Sequence, residues 1–220
     1  MHTIRVVLWG ILVWLVGGAL AAEGLNLNTL HQTWPKQTVR DVEVDRYQVR
    51  WRHRLSRADG LFAGVRFQAP TDRATTWRLA TDYTGLGRKT PGVTAIKMLE
   101  DAPNRQIIQV DAKVLWKTIR FVFEVEHQAP HRVTFRMANA ALGIFEGVCV
   151  LEDAPGSQES QGGTMVELST RLKPSHSVPL RLLLAVERMT FLQSAKEFLK
   201  ECERQLPAQA ASLRKEPTSR

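Results

Sequence analysis

The reading turns on "APTDRATTWRLATDYTGLGRKTPGV", residues Ala69 to Val93. Pro70 breaks a strand pattern. Thr71 is a residue that caps helices, and Asp72 favours a first helical turn. Ala74, Trp77 and Thr81 then share one face at helical spacing, which predicts a helix ending near Tyr83. Gly85, Gly87 and Pro91 predict a short irregular passage, and Pro91-Gly92 opens a new strand.

Strand patterns surround this passage. "VEVDRYQVRW" (Val42 to Trp51) alternates as a strand. Arg57-Ala58-Asp59-Gly60 supplies turn chemistry before Leu61 to Ala69, a hairpin signal. Beyond Val93 the period becomes two. A hairpin turning at Asp101-Ala102-Pro103-Asn104 sets Met98 against Ile108, Ile96 against Val110 and Thr94 against Ala112, with Lys97 and Gln109 on the other face. A second hairpin centred on Ala129 sets Val125 against Val133, Phe123 against Phe135, Phe121 against Met137 and Glu126 against Arg132. That register gives one apolar face and an opposite-charge pair on the wet one. Ile144 to Glu152 and Thr164 to Lys173 form a further pair around the polar connection "DAPGSQESQGG". Pro174 ends the sheet and Pro179 stands where a helix begins. Leu180, Leu183, Leu184, Glu187, Phe191, Ser194 and Phe198 then run at helical spacing to about Gln205. The order of elements is that of an α+β protein.

The ends read differently. Residues 1–21 have a short basic start at Arg5, an apolar run and Ala19-Leu20-Ala21, a small-x-small cleavage pattern. They predict a secretory signal peptide, and hence a periplasmic or secreted protein. An uncleaved anchor helix is the alternative. Residues 22–40 form a polar lead-in, 41–206 the domain, and 207–220, rich in Ala, Ser, Lys and Arg, a disordered tail. At 220 residues and 44% apolar content the chain suits one domain with a sizeable core.

The formal charge is +8, and loss of the leader removes only Arg5 to leave +7. For an exported chain this points away from nucleic acid. An anionic membrane surface is the candidate partner, with a merely solvated surface as the plain alternative. Cys149 and Cys202 are compatible with a disulfide or with two free thiols.

The helical passage, the antiparallel meander and the long last helix together resemble the START-like superfamily, which also includes polyketide cyclase/dehydrases and coenzyme Q-binding proteins. The likeness rests on Pro70-x-Asp72, Trp77, Asp82-Tyr83 and Pro91 in the quoted stretch. "IFEGVCVLED" (Ile144 to Asp153) resembles the family's Phe-Glu-Gly strand, and "VERMTFLQSAKEFLKECERQL" (Val186 to Leu206) its last helix. It covers residues 42 to 205. Gly85 and Gly87 depart from the bulkier residues of relatives, and the strand before Leu61 is extra to the minimal pattern. The resemblance implies a helix-grip fold, with a curved sheet around the long helix and a cavity opening near the short helical passage.

In that frame the candidate cavity residues are Trp77, Tyr83, Ile96, Met98, Ile108, Val110, Trp116, Phe121, Phe123, Phe135, Met137, Asn139, Leu183, Val186 and Met189. Apolar walls with a few polar groups suit a greasy ligand. A core filled by its own side chains is the alternative. Asn139, opposite Ile119, would need a partner or a ligand, unless it lies past the strand's end. There is no G-x-S-x-G and no phosphate-cradling glycine loop. His127 and His131 read as exposed turn histidines, Glu124 and Glu126 as wet-face residues, and Asp82 as a cap without a catalytic partner. No catalytic residue, metal or cofactor is expected. The expected function is a carrier for a hydrophobic small molecule such as a lipid, quinone, isoprenoid or sterol. A polyketide-type cyclase/dehydratase is the alternative.

Overall fold

A computed structural model of the chain describes residues 27–32, 34–90, 92–114, 117–155, 163–175 and 179–213. The expected leader and Trp116 lie outside them. The chain runs β1 (Thr38–Val44), β2 (Tyr47–Ser56), β3 (Gly60–Ala69), α1 (Arg73–Ala80), α2 (Tyr83–Lys89), β4 (Val93–Ala102), β5 (Arg105–Val114), β6 (Lys117–Gln128), β7 (Arg132–Met137), β8 (Gly143–Asp153), β9 (Thr164–Pro174) and α3 (Leu180–Leu213). The nine strands form one sheet in the order β1-β2-β3-β9-β8-β7-β6-β5-β4, and every neighbouring pair is antiparallel. The sheet is open, with β1 and β4 at its edges.

The main core lies between α3 and the β1–β3, β9 half of the sheet. Trp51, Leu61, Leu151, Leu183 and Leu199 are each at most 1% exposed there. Trp51 meets Phe191 edge-on at 6.0 Å, and Phe67 meets Phe198 at 6.0 Å. Side chains from a helix stripe and from alternate strand positions thus close one layer on another.

Several local expectations change. Val42 to Trp51 is two strands. Asp45, a residue that tolerates the left-handed region, takes φ 57° in a tight turn that brings Val44 opposite Tyr47. The Arg57–Asp59 turn and the β2–β3 hairpin form as expected. In β4–β5, Met98 faces Ile108, Ile96 faces Val110 and Lys97 faces Gln109. An irregularity between Val93 and Ala95 puts Val93, not Thr94, opposite Ala112. In β6–β7, Phe123 faces Met137, Val125 faces Phe135 and His127 faces Val133. The pairing is two residues from the expected one. An even shift leaves every side chain on its own face, so the apolar pattern cannot distinguish the two registers. The shift abolishes the Glu126–Arg132 pairing: Glu126 faces Thr134, and Arg132 Nη2 donates to Leu27 O at 3.1 Å.

The lead-in is not loose. Trp34 Nε1 donates to Leu30 O at 2.9 Å, and both residues bury against Phe62 and Val148 on the outer face of the sheet. Arg52 lies over the Trp34 ring at 4.4 Å and donates to His31 O at 2.7 Å and Gln32 O at 3.2 Å. Phe62 is therefore covered on a face that alternation alone would leave wet. Beneath it, Glu146, 1% exposed by side chain, pairs with Arg171 at 3.3 Å and Arg136 at 3.4 Å.

At the other end, α3 continues through Pro207 to Leu213, into the expected disordered tail. A proline there removes one backbone donor, and the helix continues beyond it. The helix spans about 51 Å at 1.5 Å per residue.

Candidate functional site: an apolar hollow beneath two short helices

The quoted stretch folds into two helices rather than one. Asp72, not Thr71, caps α1, its Oδ1 accepting from Thr75 N at 2.7 Å. Thr71 is buried, its hydroxyl 2.8 Å from that of Thr76. Asp82 caps α2 by accepting from Gly85 N at 2.8 Å, so its carboxylate has a structural task. Gly87 lets α2 lie on β4. A Cβ there would stand 1.9 Å from Ile96 Cδ1. The two glycines that depart from the resemblance thus belong to a helix packed close to the sheet.

Two adjoining hollows lie under this cover. The first, about 280 Å³, is bounded by Tyr83, Gly87 and Thr90 from the α2 side and by Ile96, Ile108, Val110, Phe123, Val125 and Phe145 from the sheet. The second, about 210 Å³, lies against α3 at Phe191, Ser194, Ala195 and Phe198, with Phe67 and Cys149 opposite. Tyr83, Val133 and Phe135 line both and stand between them. Phe135 keeps its place because β8 offers Gly147 beneath it, where a Cβ would meet its ring at 2.3 Å.

The polar part of the walls centres on Tyr83. Its hydroxyl is 2.7 Å from His127 Nε2, and the rings stack at 5.9 Å and 7°. Trp77 meets His127 edge-on at 5.8 Å. Burial holds the His127 imidazole below its ordinary pKa, against a hydrogen bond to the Pro103 carbonyl and the charge of Asp101. The imidazole tautomer sets which of Tyr83 Oη and His127 Nε2 donates in that bond. Burial drives the Tyr83 phenol well above its ordinary range, with Cys149 adding to the rise. The Cys149 thiol is itself pushed up to about 12, chiefly by burial and further by Glu167. It is half-buried, Cys202 is buried, and both are free thiols.

Of the residues expected at the cavity, the structure brings Tyr83, Ile96, Ile108, Val110, Phe123 and Phe135 together on the first hollow. Met98 packs beside Ile108 without lining it. Trp77 bridges the main core and the cluster under α2. Phe121 and Met137 form a separate cluster with Leu142 and Ile119. Leu183 and Val186 are in the filled core under α3. Met189 is half-buried on α3. Asn139 follows the end of β7 and bridges the β6 backbone. Its Oδ1 accepts from Val122 N at 3.2 Å, and its Nδ2 donates to Arg120 O at 3.0 Å. The strand ends before Asn139 can pair with Ile119, so the amide serves β6 and not the hollow.

Sequence reading missed His127, Val133, Phe145 and Cys149. His127 was expected in an exposed turn. The real register extends β6 past it, and alternation with Phe121, Phe123 and Val125 then turns it inward. That alternation was the available signal. His131 is exposed, as are Glu124 and Glu126. Among the described residues no three His, Cys, Asp or Glu side chains are grouped to hold a metal ion. No helix among them is long and apolar enough to cross a membrane.

No family model matches the sequence, and no curated protein matches it. Solved structures do match in shape. The STAR-related lipid transfer protein from Xanthomonas axonopodis superposes with a TM-score of 0.62 at 12% identity, covering 77% of this chain and 99% of that one. Human STARD10 gives 0.63 at 8% identity, over 84% and 80%. The ZhuI aromatase/cyclase from Streptomyces sp. R1128 gives 0.56 at 13% identity, over 66% and 94%. The chain has the START-like helix-grip fold: a large curved antiparallel sheet, left open, with a long C-terminal helix across it.

Proposed function

We propose that the protein is an exported carrier that holds a hydrophobic small molecule in the adjoining hollows beneath α2 and beside α3. The observation that carries this reading is a continuous carbon wall, from Ile96 and Val110 across Phe135 to Phe191 and Phe198, beside a sheet half filled to the core. Burying apolar ligand surface there is favourable by about 25 cal/mol per Å². The Tyr83 hydroxyl is satisfied by His127 behind it, so it does not oppose an apolar guest. The STAR-related lipid transfer protein among the structures of similar shape supports the same reading. Residues 1–21 support export to the periplasm or beyond. The +7 that remains after the leader and its Arg5 are removed supports transfer at an anionic membrane surface.

The test is mass spectrometry of the mature protein, native and then after solvent extraction. A discrete apolar molecule near one per chain is expected. Protein that carries none, and that takes up no lipid, quinone, isoprenoid or sterol offered in excess, would overturn the carrier.

A second reading has one observation in its favour. Tyr83 places a hydroxyl on the wall of both hollows with the His127 imidazole behind it, a pair that can move a proton, the equipment of a cyclase or dehydratase acting on a polyketide-like substrate. A solved aromatase/cyclase shares the fold. Turnover of an aromatic polyketide analogue that Tyr83→Phe abolishes would favour it over the carrier.

A further inference from the structure

The two hollows lie over different parts of one curved sheet. The first sits against β4–β6 and the second against β3 and β9. In the strand order β6 and β9 are three spacings apart, about 14 Å along the sheet. Between them runs β7, which supplies Val133 and Phe135. With Tyr83 of α2 these two line both hollows, so the three side chains form a waist. Taken singly, hollows of about 280 and 210 Å³ fall short of an ordinary ligand site, about 300–1,000 Å³. Together, at about 490 Å³, they reach it.

Each side chain of the waist is held in place. Phe135 lies on Gly147, where a Cβ would meet its ring at 2.3 Å. The rings of Phe123 and Phe145 meet it edge-on at 6.2 and 5.8 Å. Val133 is buried, and its branched Cβ restricts its rotamers. Tyr83 is tied through its hydroxyl to His127 at 2.7 Å. The waist is therefore a fixed constriction. Among the described residues that line the hollows none carries a charge, so the part of a ligand that passes the waist is hydrocarbon.

We propose that the ligand is a flexible hydrocarbon chain that occupies both hollows and bends through the waist, and that Phe135 excludes rigid fused-ring bodies. This rests on the carrier reading and narrows the ligand class within it. A chain with freely turning bonds follows a curved sheet past a fixed ring. A fused-ring body too long for one hollow can enter only by displacing Phe135 from its packed neighbours, with the cost of an overpacked core. An acyl chain and an isoprenoid tail share the chemistry that fits.

The experiment offers the mature protein three hydrocarbons of equal carbon number, each in excess from cyclodextrin. Nonadecane is straight, as acyl chains are. Pristane is methyl-branched, as isoprenoids are. Androstane is a fused-ring body, as sterols are. Bound hydrocarbon is extracted after gel filtration and quantified by gas chromatography. One molecule of nonadecane or pristane per chain is expected, with androstane retained at least about 5-fold less. The better retained of the two chains separates an acyl from an isoprenoid ligand. Phe135→Ala should admit androstane and bring it within about twofold of that chain. Phe135→Leu should move the ratio in the same direction if the alanine variant folds poorly. A preference unchanged in both variants overturns the role of Phe135. Androstane retained by wild type as well as the chains overturns the waist and leaves the carrier standing. Two molecules per chain, one to each hollow, do the same. Uptake of none of the three overturns both.

Discussion

The two halves of the sheet are covered in different ways. Over β1–β3 and β9 lies α3, which drives Leu183, Phe191, Ala195 and Leu199 into a layer already holding Trp51, Leu61 and Val65. That half is filled over β1 and β2, and keeps the second hollow where Phe191 and Phe198 face Val65, Phe67 and Val166 of β3 and β9. Over β4 lies α2, seven residues with glycine at two of them, which sends Tyr83 toward the sheet but has no long aliphatic stripe to follow it. That half is hollow. The strands beneath are equally apolar on their inner faces. The difference lies in the cover: a helix fills a sheet when its side chains reach the other wall, and α2 is short and rich in glycine.

The comparison can be broken by mutation, from the largest effect to the smallest. Trp51→Ala, in the filled half, should cost about 3–5 kcal/mol in chemical denaturation, because its neighbours cannot collapse into the space. Ile96→Ala, in the hollow half, should cost about 1 kcal/mol, since its side chain borders a void already. Equal losses at the two sites would end the distinction.

Glu187 gives the next largest effect. Its folded pKa, about 7, lies above the ordinary 4.5, so the folded state binds the proton more tightly. Stability is therefore greatest below pH 4.5, falls between pH 4.5 and 7, and stays reduced above. Glu187→Gln should remove that loss, raising stability at pH 8 by up to about 3 kcal/mol with little change at pH 4. A flat difference across this range would contradict the burial.

Tyr83→Phe removes a hydroxyl and leaves His127 Nε2 unmatched, which should cost about 1–2 kcal/mol. His127 has the opposite slope to Glu187. Its folded pKa is lowered, so stability is lost as the pH falls below 6.5. His127→Phe should flatten the acid side of a Tm-against-pH curve. The smallest effect on stability and a large one on binding are expected of Val110→Trp. Its ring enters the first hollow, so Tm should move by a few degrees at most while ligand uptake falls. Unchanged uptake in the folded variant would mean that the ligand sits elsewhere.

Much of this was legible in the residues. Asp-Gly before Leu61, the alternation from Val93, and the apolar run from Leu180 gave the hairpins, the meander and the last helix. The inner face of β4–β6 was also readable, since Ile96, Ile108, Val110 and Phe123 follow from period two alone. Phe135 on β7 follows for the same reason, and Tyr83 came from its motif. His127 was lost because two registers of β6–β7 differ by an even step, and the apolar pattern is the same in both. The lead-in was lost because Leu30 and Trp34 bury against Phe62, across a sheet whose outer face reads as wet when each strand is taken alone.

The sequence by itself determined the inner face of β4–β6, the Asp59-Gly60 hairpin and that a long helix closes the fold, because these follow from local conformational preference and the period of the strands. Only the tertiary structure decided that α3 closes over β1 and β2 while hollows remain beneath α2 and beside the middle of α3, and that Tyr83 meets His127. These depend on how far a covering helix reaches and which residues it brings within bonding distance, and neither is encoded in any single stretch of chain.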